Sequence, residues 1–376
     1  MNRRQLLSQL SAIAGATALP VLPVFAADNT KIILGQSAPF SGPAKELGEQ
    51  FRDGALMAFE HINQRGGVNG RRIELRSLDD GYEPERCVAN TRKLLDEGVT
   101  ALFGYVGTPT SLAALPLATA AHVPFFAPFT GAEALRTPFN RYAFHVRASY
   151  NDECEEIVQQ LQSVGIKKVA VFYQNDAYGQ AGLSGMQAAL KKHGLAPVAS
   201  ATVERNSVEV TAAVKSILAA QPEAIVQISA YKSCAAFIRQ ARQAMFLGNF
   251  YNLSFAGAQA LATELGKDSR GVVVSQVVPF PFSGTNPLAQ EYAQRAKASN
   301  KELGYTGMEG FVAAKVIIEG LRRAGNSPTG ENLISSLESL RDFDAGGFFI
   351  NFGAQKHTGS KYVDMTILTA DGKVRR

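Results

Sequence analysis

The chain has no tryptophan, only three cysteines and five histidines, and no block of like charge in its 376 residues. Each scarcity removes a class of protein. Cys87, Cys154 and Cys234 are widely separated and odd in number, which excludes a disulfide scaffold. They read as small core or surface residues, with one pairing plus a free thiol left open. His61, His122, His145, His193 and His357 include no two at metal-ligand spacing, and HExxH and CxxC are absent. No GxxxxGK[ST] or GxGxxG loop follows a strand pattern, and Gly182-Leu183-Ser184-Gly185 misses the GxSxG elbow by one residue. Acidic pairs such as Asp79-Asp80 read as solvated strand ends. No cofactor, metal or catalytic set is therefore expected.

What is present is ordinary globular material, 46% hydrophobic and 19% charged, with a mean hydropathy of −0.04. Disorder and a multi-span membrane protein are both excluded by these values. The length predicts two domains. A basic start at Arg3-Arg4 leads into a mostly apolar run from Leu6 to Phe25, followed by Ala26-Ala27. That layout predicts a secretory signal peptide over residues 1–26, cleaved after Ala26, and so a periplasmic protein. No Cys follows the cleavage point, and the Arg pair leaves the export route open. Without Arg3 and Arg4 the formal charge falls from +5 to +3. A nucleic-acid partner would want a clustered basic face with aromatic residues, and none is visible.

The rest alternates β-rich runs with helical periodicity. Strands are predicted at Lys31–Ser37, Arg72–Leu78, Ala101–Val106, Val123–Phe126 and Tyr142–Arg147, with helices around Phe51–Ile62 and Ser111–Ala121. The cycle restarts at Lys168–Tyr173. It runs through a helix near Gly182–His193, a strand at Val198–Val203, a helix over Val210–Ala219 and a strand at Ala224–Ser229. A helix over Cys234–Met245 and strands at Tyr251–Phe255 and Val272–Val277 close it. Helices near Leu288–Ala298, Glu309–Ala324 and Glu331–Leu340 follow, with strands at Phe348–Phe352 and Met365–Thr369. This predicts an α/β fold of two doubly wound parallel-sheet lobes joined by a three-segment hinge, crossing near Ala148, Pro279–Pro281 and Gly359–Lys361. Lobe 1 is assigned 27–147 plus 281–358, and lobe 2 is assigned 148–280 plus 359–376. Ligands of open parallel sheets bind at the strand carboxyl ends, which here would flank one cleft.

GQSAPFSG at Gly35–Gly42, INQRGGVNGRRIEL at Ile62–Leu75 and LDDGYEPE at Leu78–Glu85 come in the order of a known family. FGYVGTPTSLAALPLA at Phe103–Ala118, VPFFAPFTGAEAL at Val123–Leu135, YQNDAYGQAGL at Tyr173–Leu183 and EGFVAAKVIIEGLRRAG at Glu309–Gly325 continue it. The chain thereby resembles the leucine/isoleucine/valine-binding family of type I periplasmic binding proteins. The resemblance implies an exported, non-enzymatic subunit of an ABC importer. Such a protein closes two lobes on a small solute, an amino acid or related carboxylate, and hands it to a membrane permease.

The resemblance also implies the site. The ligand carboxylate would lie on Gly107 and Thr108, completed by Phe129, Thr130 and Gly131. Hydroxyls and N–H groups at helix N-termini suit an anion. The alternative for Thr108 is capping of its own helix. Gly131 stands where the family has a Thr, which displaces that hydroxyl to Thr130. Tyr178 and Tyr231 would cover the ligand from lobe 2, Tyr305 would shape the side-chain pocket, and Gln36 faces the cleft by topology. Amino-acid binders of the family place an acid where Ser254 stands. Glu309, at the start of a helix, is the substitute named here for pairing a ligand ammonium; its plain reading is an acid in a helix first turn. Without such an acid the ligand has no amine, so an aromatic carboxylate is the alternative. Phe129, in place of a small residue, would flatten the pocket. A ligand-sensing receptor or regulator on the same fold, and an exported hydrolase, are the competing readings.

Overall fold

The computed structural model describes residues 30–376; the predicted export segment lies outside them. The first sheet is built from β1 (Lys31–Ala38), β2 (Arg72–Asp79), β3 (Ala101–Phe103), β4 (Phe125–Phe126) and β5 (Ala143–Phe144). All pairings are parallel and the order is β2-β1-β3-β4-β5. Helices α1 (Lys45–Gln64), α2 (Pro84–Asp96) and α3 (Thr108–Ala120) make the crossovers. Parallel strands need such connections, and their long apolar runs are buried on both faces. Ile32 and Leu34 of β1 and all of β3 are buried accordingly.

The second sheet holds β6 (Val169–Gln174), β7 (Ala199–Val203), β8 (Ala224–Ile228), β9 (Asn249–Asn252) and β10 (Val272–Gln276). Their order, β7-β6-β8-β9-β10, repeats that of the first sheet. Helices α4 (Tyr150–Ser163), α5 (Ala177–Lys192), α6 (Thr211–Ala219), α7 (Tyr231–Gln243) and α8 (Ala258–Leu265) belong to this half. After α9 (Pro287–Ala298), α10 (Tyr305–Arg323) and α11 (Gly330–Glu338), a short hairpin of β11 (Phe343–Asp344) and β12 (Phe349–Ile350) forms. The chain then returns to the second sheet, where β13 (Asp364–Leu368) pairs antiparallel with β10 and β14 (Val374–Arg375) pairs antiparallel with β13.

The alternating pattern is thus realised as two doubly wound sheets, with several differences in detail. Strands expected at 123–126 and 142–147 contract to two residues each: β4 loses 123–124 at its amino end, and β5 loses 142 and the 145–147 stretch that leads toward α4. The strand expected at 348–352 pairs only in the small hairpin. The helix expected from Gly182 begins at Ala177, where the Asp176 carboxylate accepts from the Tyr178 and Gly179 N–H groups. Helices α2, α4 and α8 were not anticipated. α10 packs along α1 and starts at Tyr305, four residues before the expected Glu309. Cys87, Cys154 and Cys234 are buried and unpaired. Among the described residues no helix is long and apolar enough to cross a membrane.

Candidate functional site

In each sheet, the strand that starts the cycle (β1 or β6) separates two neighbours whose crossovers run in opposite directions. That switch point is where open α/β sheets leave a crevice. In the first half the crevice is edged by the loop from β3 into α3 and the loop after β4. Gly107 precedes α3 with φ of 99°, and a Cβ there would lie 2.2 Å from the Tyr82 ring, so only glycine fits. Thr108 does not cap the helix; no side-chain cap bond exists at this end. Its hydroxyl instead meets that of Thr130 at 2.6 Å, and the Ala132 N–H also donates to Thr130 Oγ1 at 3.2 Å. The two predicted loops are therefore joined through their hydroxyls. Both side chains are buried.

Aromatic rings close over this pair. Phe129 and Tyr82 come from the first half, Tyr178 and Phe255 from the second. Phe255 lies 5.4 Å from Phe129, 5.9 Å from Tyr82 and 4.6 Å from Tyr178, centroid to centroid. Tyr150, on the first chain crossing, lies 5.3 Å from Tyr178. Among the described residues the buried Tyr178 hydroxyl has no hydrogen-bond partner, and that of Tyr150 lies by Thr130 without a bond of normal geometry.

Behind the rings lies a charged group in which the predicted Ser254 and Glu309 are joined by Arg147 and Glu153, two residues the sequence does not single out. Arg147 Nη2 donates to Glu153 Oε1 at 2.9 Å and to Ser254 Oγ, and Nη1 lies 3.4 Å from Glu309 Oε1. The guanidinium also packs over Phe129 and Tyr150. Glu153 further accepts from the Ser254 N–H at 2.9 Å, the Ser254 hydroxyl at 3.0 Å and the Ser275 hydroxyl at 2.5 Å. So the acid that Ser254 lacks is brought to it by Glu153. Burial disfavours the charge on Arg147, yet Glu309 and Glu153 hold its pKa above the ordinary value. Glu309 is pushed up to about 7 by burial, with Arg147 opposing and Glu153 adding to the rise. Glu309 sits one turn inside α10, so a first-turn dipole role does not describe it.

Other predicted residues lie elsewhere. Gln36 is turned inward: its amide donates to Gly104 O at 3.1 Å and accepts from Ser77 Oγ at 2.8 Å. That amide is used within the first sheet rather than presented to the cleft. Tyr305 packs on Phe280, with its N–H on Gln259 Oε1 at 3.0 Å, away from the Arg147 group. Tyr231 is buried at the start of α7; burial raises its pKa to about 12, with Glu46 of α1 its nearest charged influence.

At the cleft rim Glu83, after β2, meets the loop after β7. Arg205 Nη2 donates to Glu83 Oε2 at 2.9 Å, Asn206 Nδ2 to Glu83 Oε1 at 2.8 Å and to Gly81 O at 3.1 Å. Deeper in, Gln174 Nε2 donates to the Tyr82 hydroxyl at 3.2 Å. These bonds join the halves without chain connectivity. Both members of the Glu83–Arg205 pair keep some exposure, so about 0.5–1 kcal/mol is expected from it. Glu83→Gln should then shift the closed population roughly two- to fivefold. Small-angle scattering should read this as an increased radius of gyration in the variant. An identical scattering profile would show the clasp to be incidental.

Comparison with known proteins agrees with this fold. The model of a family described as "Periplasmic binding protein" matches residues 31–373. A possible leucine/isoleucine/valine-binding protein from Rhodopirellula baltica superposes with a TM-score of 0.88 at 33% identity, covering 92% of this chain and 96% of that one. A Leu/Ile/Val-binding protein homolog from Brucella abortus is 25% identical over 91% of this chain and 90% of its own. The leucine-, isoleucine-, valine-, threonine- and alanine-binding protein of Pseudomonas aeruginosa is 24% identical over 80% of each chain.

Proposed function

The chain belongs to the periplasmic binding protein family, and on that premise we propose that it captures a small carboxylate for an ABC importer. The two lobes are taken as residues 27–147 with 281–358, and 148–280 with 359–376. Removal of residues 1–26 on export would leave the protein in the periplasm, to dock on a membrane permease. Its role is capture, without chemical change of the solute.

The observation that carries the reading is the Thr108–Thr130 hydroxyl pair at the N-terminus of α3. One hydroxyl donates to the other, which leaves one O–H for an anion, and the first N–H groups of a helix have no intrahelical acceptor. A carboxylate placed there is enclosed by Phe129, Tyr178 and Phe255. An amino acid of branched-chain type would then turn its ammonium toward Glu309, which among the described residues is ion-paired with Arg147. The name of the Pseudomonas relative supports amino acids in first place. The number of aromatic rings around the pair supports an aromatic carboxylate without an amine as a second reading.

A thermal-shift screen over amino acids, keto acids and aromatic carboxylates tests this. A ligand at 100 times its Kd should stabilise the protein by about 2.7 kcal/mol. Thr108→Val should weaken binding of the hit by about 1.5–3 kcal/mol, the worth of a hydrogen bond to a charged group. An unchanged Kd would remove Thr108 from the site.

A further inference from the structure

We infer that Tyr150 determines what the cleft accepts: its phenol is a third hydroxyl donor beside Thr108 and Thr130, and its ring occupies the space next to Gly131. The inference rests on the reading that a carboxylate lies on the Thr108 loop, and it adds a residue to which no role has been assigned.

Three observations carry it. First, Tyr150 is held in place on every side. Its N–H donates to Gly131 O at 2.7 Å, and Ser149 and Asp152 form a reciprocal capping box that fixes the first turn of α4. Its ring is packed by Tyr178 and by the Arg147 guanidinium. Second, a Cβ at position 131 would lie 2.6 Å from both the ring Cδ1 and the backbone N of Tyr150. Gly131 is therefore the residue that lets Tyr150 reach the anion loops. The hydroxyl that a larger residue would have carried at 131 is replaced by one arriving from the hinge. Third, the Tyr150 hydroxyl is fully buried next to Thr130, yet it completes no hydrogen bond of normal geometry with any described residue. A buried hydroxyl left without a partner is costly, so an orphan beside two paired threonines points to a ligand acceptor. Burial keeps the phenol protonated, with a pKa near 12 against the opposing pull of Arg147 and Thr130, so it can donate.

The chemistry matches the donor count. A carboxylate offers about four lone-pair sites. The threonine pair has one free O–H, because the other is spent between them, and the α3 terminus adds backbone N–H groups. Tyr150 supplies a further donor next to Thr130. Its ring also limits the length of any group that lies toward the hinge, which favours compact side chains.

The test is calorimetric titration of L-leucine, L-phenylalanine and benzoate into wild type, Thr108→Val, Tyr150→Phe and Tyr150→Ala. Tyr150→Phe should weaken the best-binding probe by about tenfold at an unchanged melting temperature. Tyr150→Ala should raise the affinity ratio of L-phenylalanine to L-leucine by at least tenfold. If Thr108→Val loses binding while both Tyr150 variants bind as wild type does, the inference is overturned and the carboxylate reading stands. If none of the three probes binds wild type, both are overturned. Tyr150→Phe removes one oxygen only, so the test survives any failure of Tyr150→Ala to fold.

Discussion

Arg147→Met should destabilise the fold by about 3–5 kcal/mol, measured as a lowered urea midpoint at pH 7.5. The size follows from what would be left behind. Arg147 is 1% exposed and stands between two buried carboxylates, Glu153 and Glu309. Its removal leaves both without a cation in a region where water cannot replace it. Glu153 would keep the Ser254 and Ser275 donors, so Glu309 should carry the larger share of the penalty. Glu309→Gln in the Arg147→Met background should then recover part of the loss. A destabilisation under 1 kcal/mol would show that the charges are relieved by other means. The argument also locates the group mechanically. Arg147 is on the first chain crossing, Glu309 on α10 of the first half, and Ser254 and Glu153 on the second half. One guanidinium thus ties the halves together at the back of the cleft, while Glu83 and Arg205 tie them at the rim.

The architecture was legible because parallel sheets impose a repeated pattern, and Lys31–Ser37 and Lys168–Tyr173 each restart it. The two loops that meet through Thr108 and Thr130 were legible in the motifs around those residues. The charged group was legible only in part: Ser254 and Glu309 were, but Arg147 reads as the end of a strand over Tyr142–Arg147, and Tyr150 and Glu153 follow the crossing near Ala148 with no element assigned. A signal was present. Ser149 followed by Asp152 marks an N-terminus, so the helix begins at Tyr150, and Glu153 then shares a face with Ile157 and Leu161. A carboxylate on an apolar face must find donors. Tyr82 lies within LDDGYEPE, but its φ of 66°, unusual for a bulky residue, cannot be read from sequence. Gln36 misled for the converse reason: topology places its backbone at the cleft, but the register against β2 sets its amide beside Ser77.

Glu309 gives the protein a pH dependence whose sign can be worked out. Its pKa rises from the ordinary 4.5 in the unfolded chain to about 7 in the fold, first through burial. The folded state therefore retains a proton that the unfolded state has released. Its favourable contribution is complete below pH 4.5 and is lost as pH rises to about 7, a decline of about 3 kcal/mol. Asp80, raised to about 6, acts in the same direction. His145 and His357, lowered first by burial, act in the opposite one. Subtracting the Glu309→Gln curve from wild type isolates the Glu309 contribution, and parallel urea stability curves between pH 5 and 8 would refute it. The same proton separates the two ligand readings. A ligand ammonium at Glu309 requires the ionised carboxylate, so L-leucine should bind more weakly as pH falls below 7, approaching tenfold per unit. An amine-free anion such as benzoate is better received by the protonated acid, so its affinity should weaken as pH rises instead. Titrations in two buffers of different ionisation enthalpy read the difference directly: proton release accompanies the first ligand and proton uptake the second.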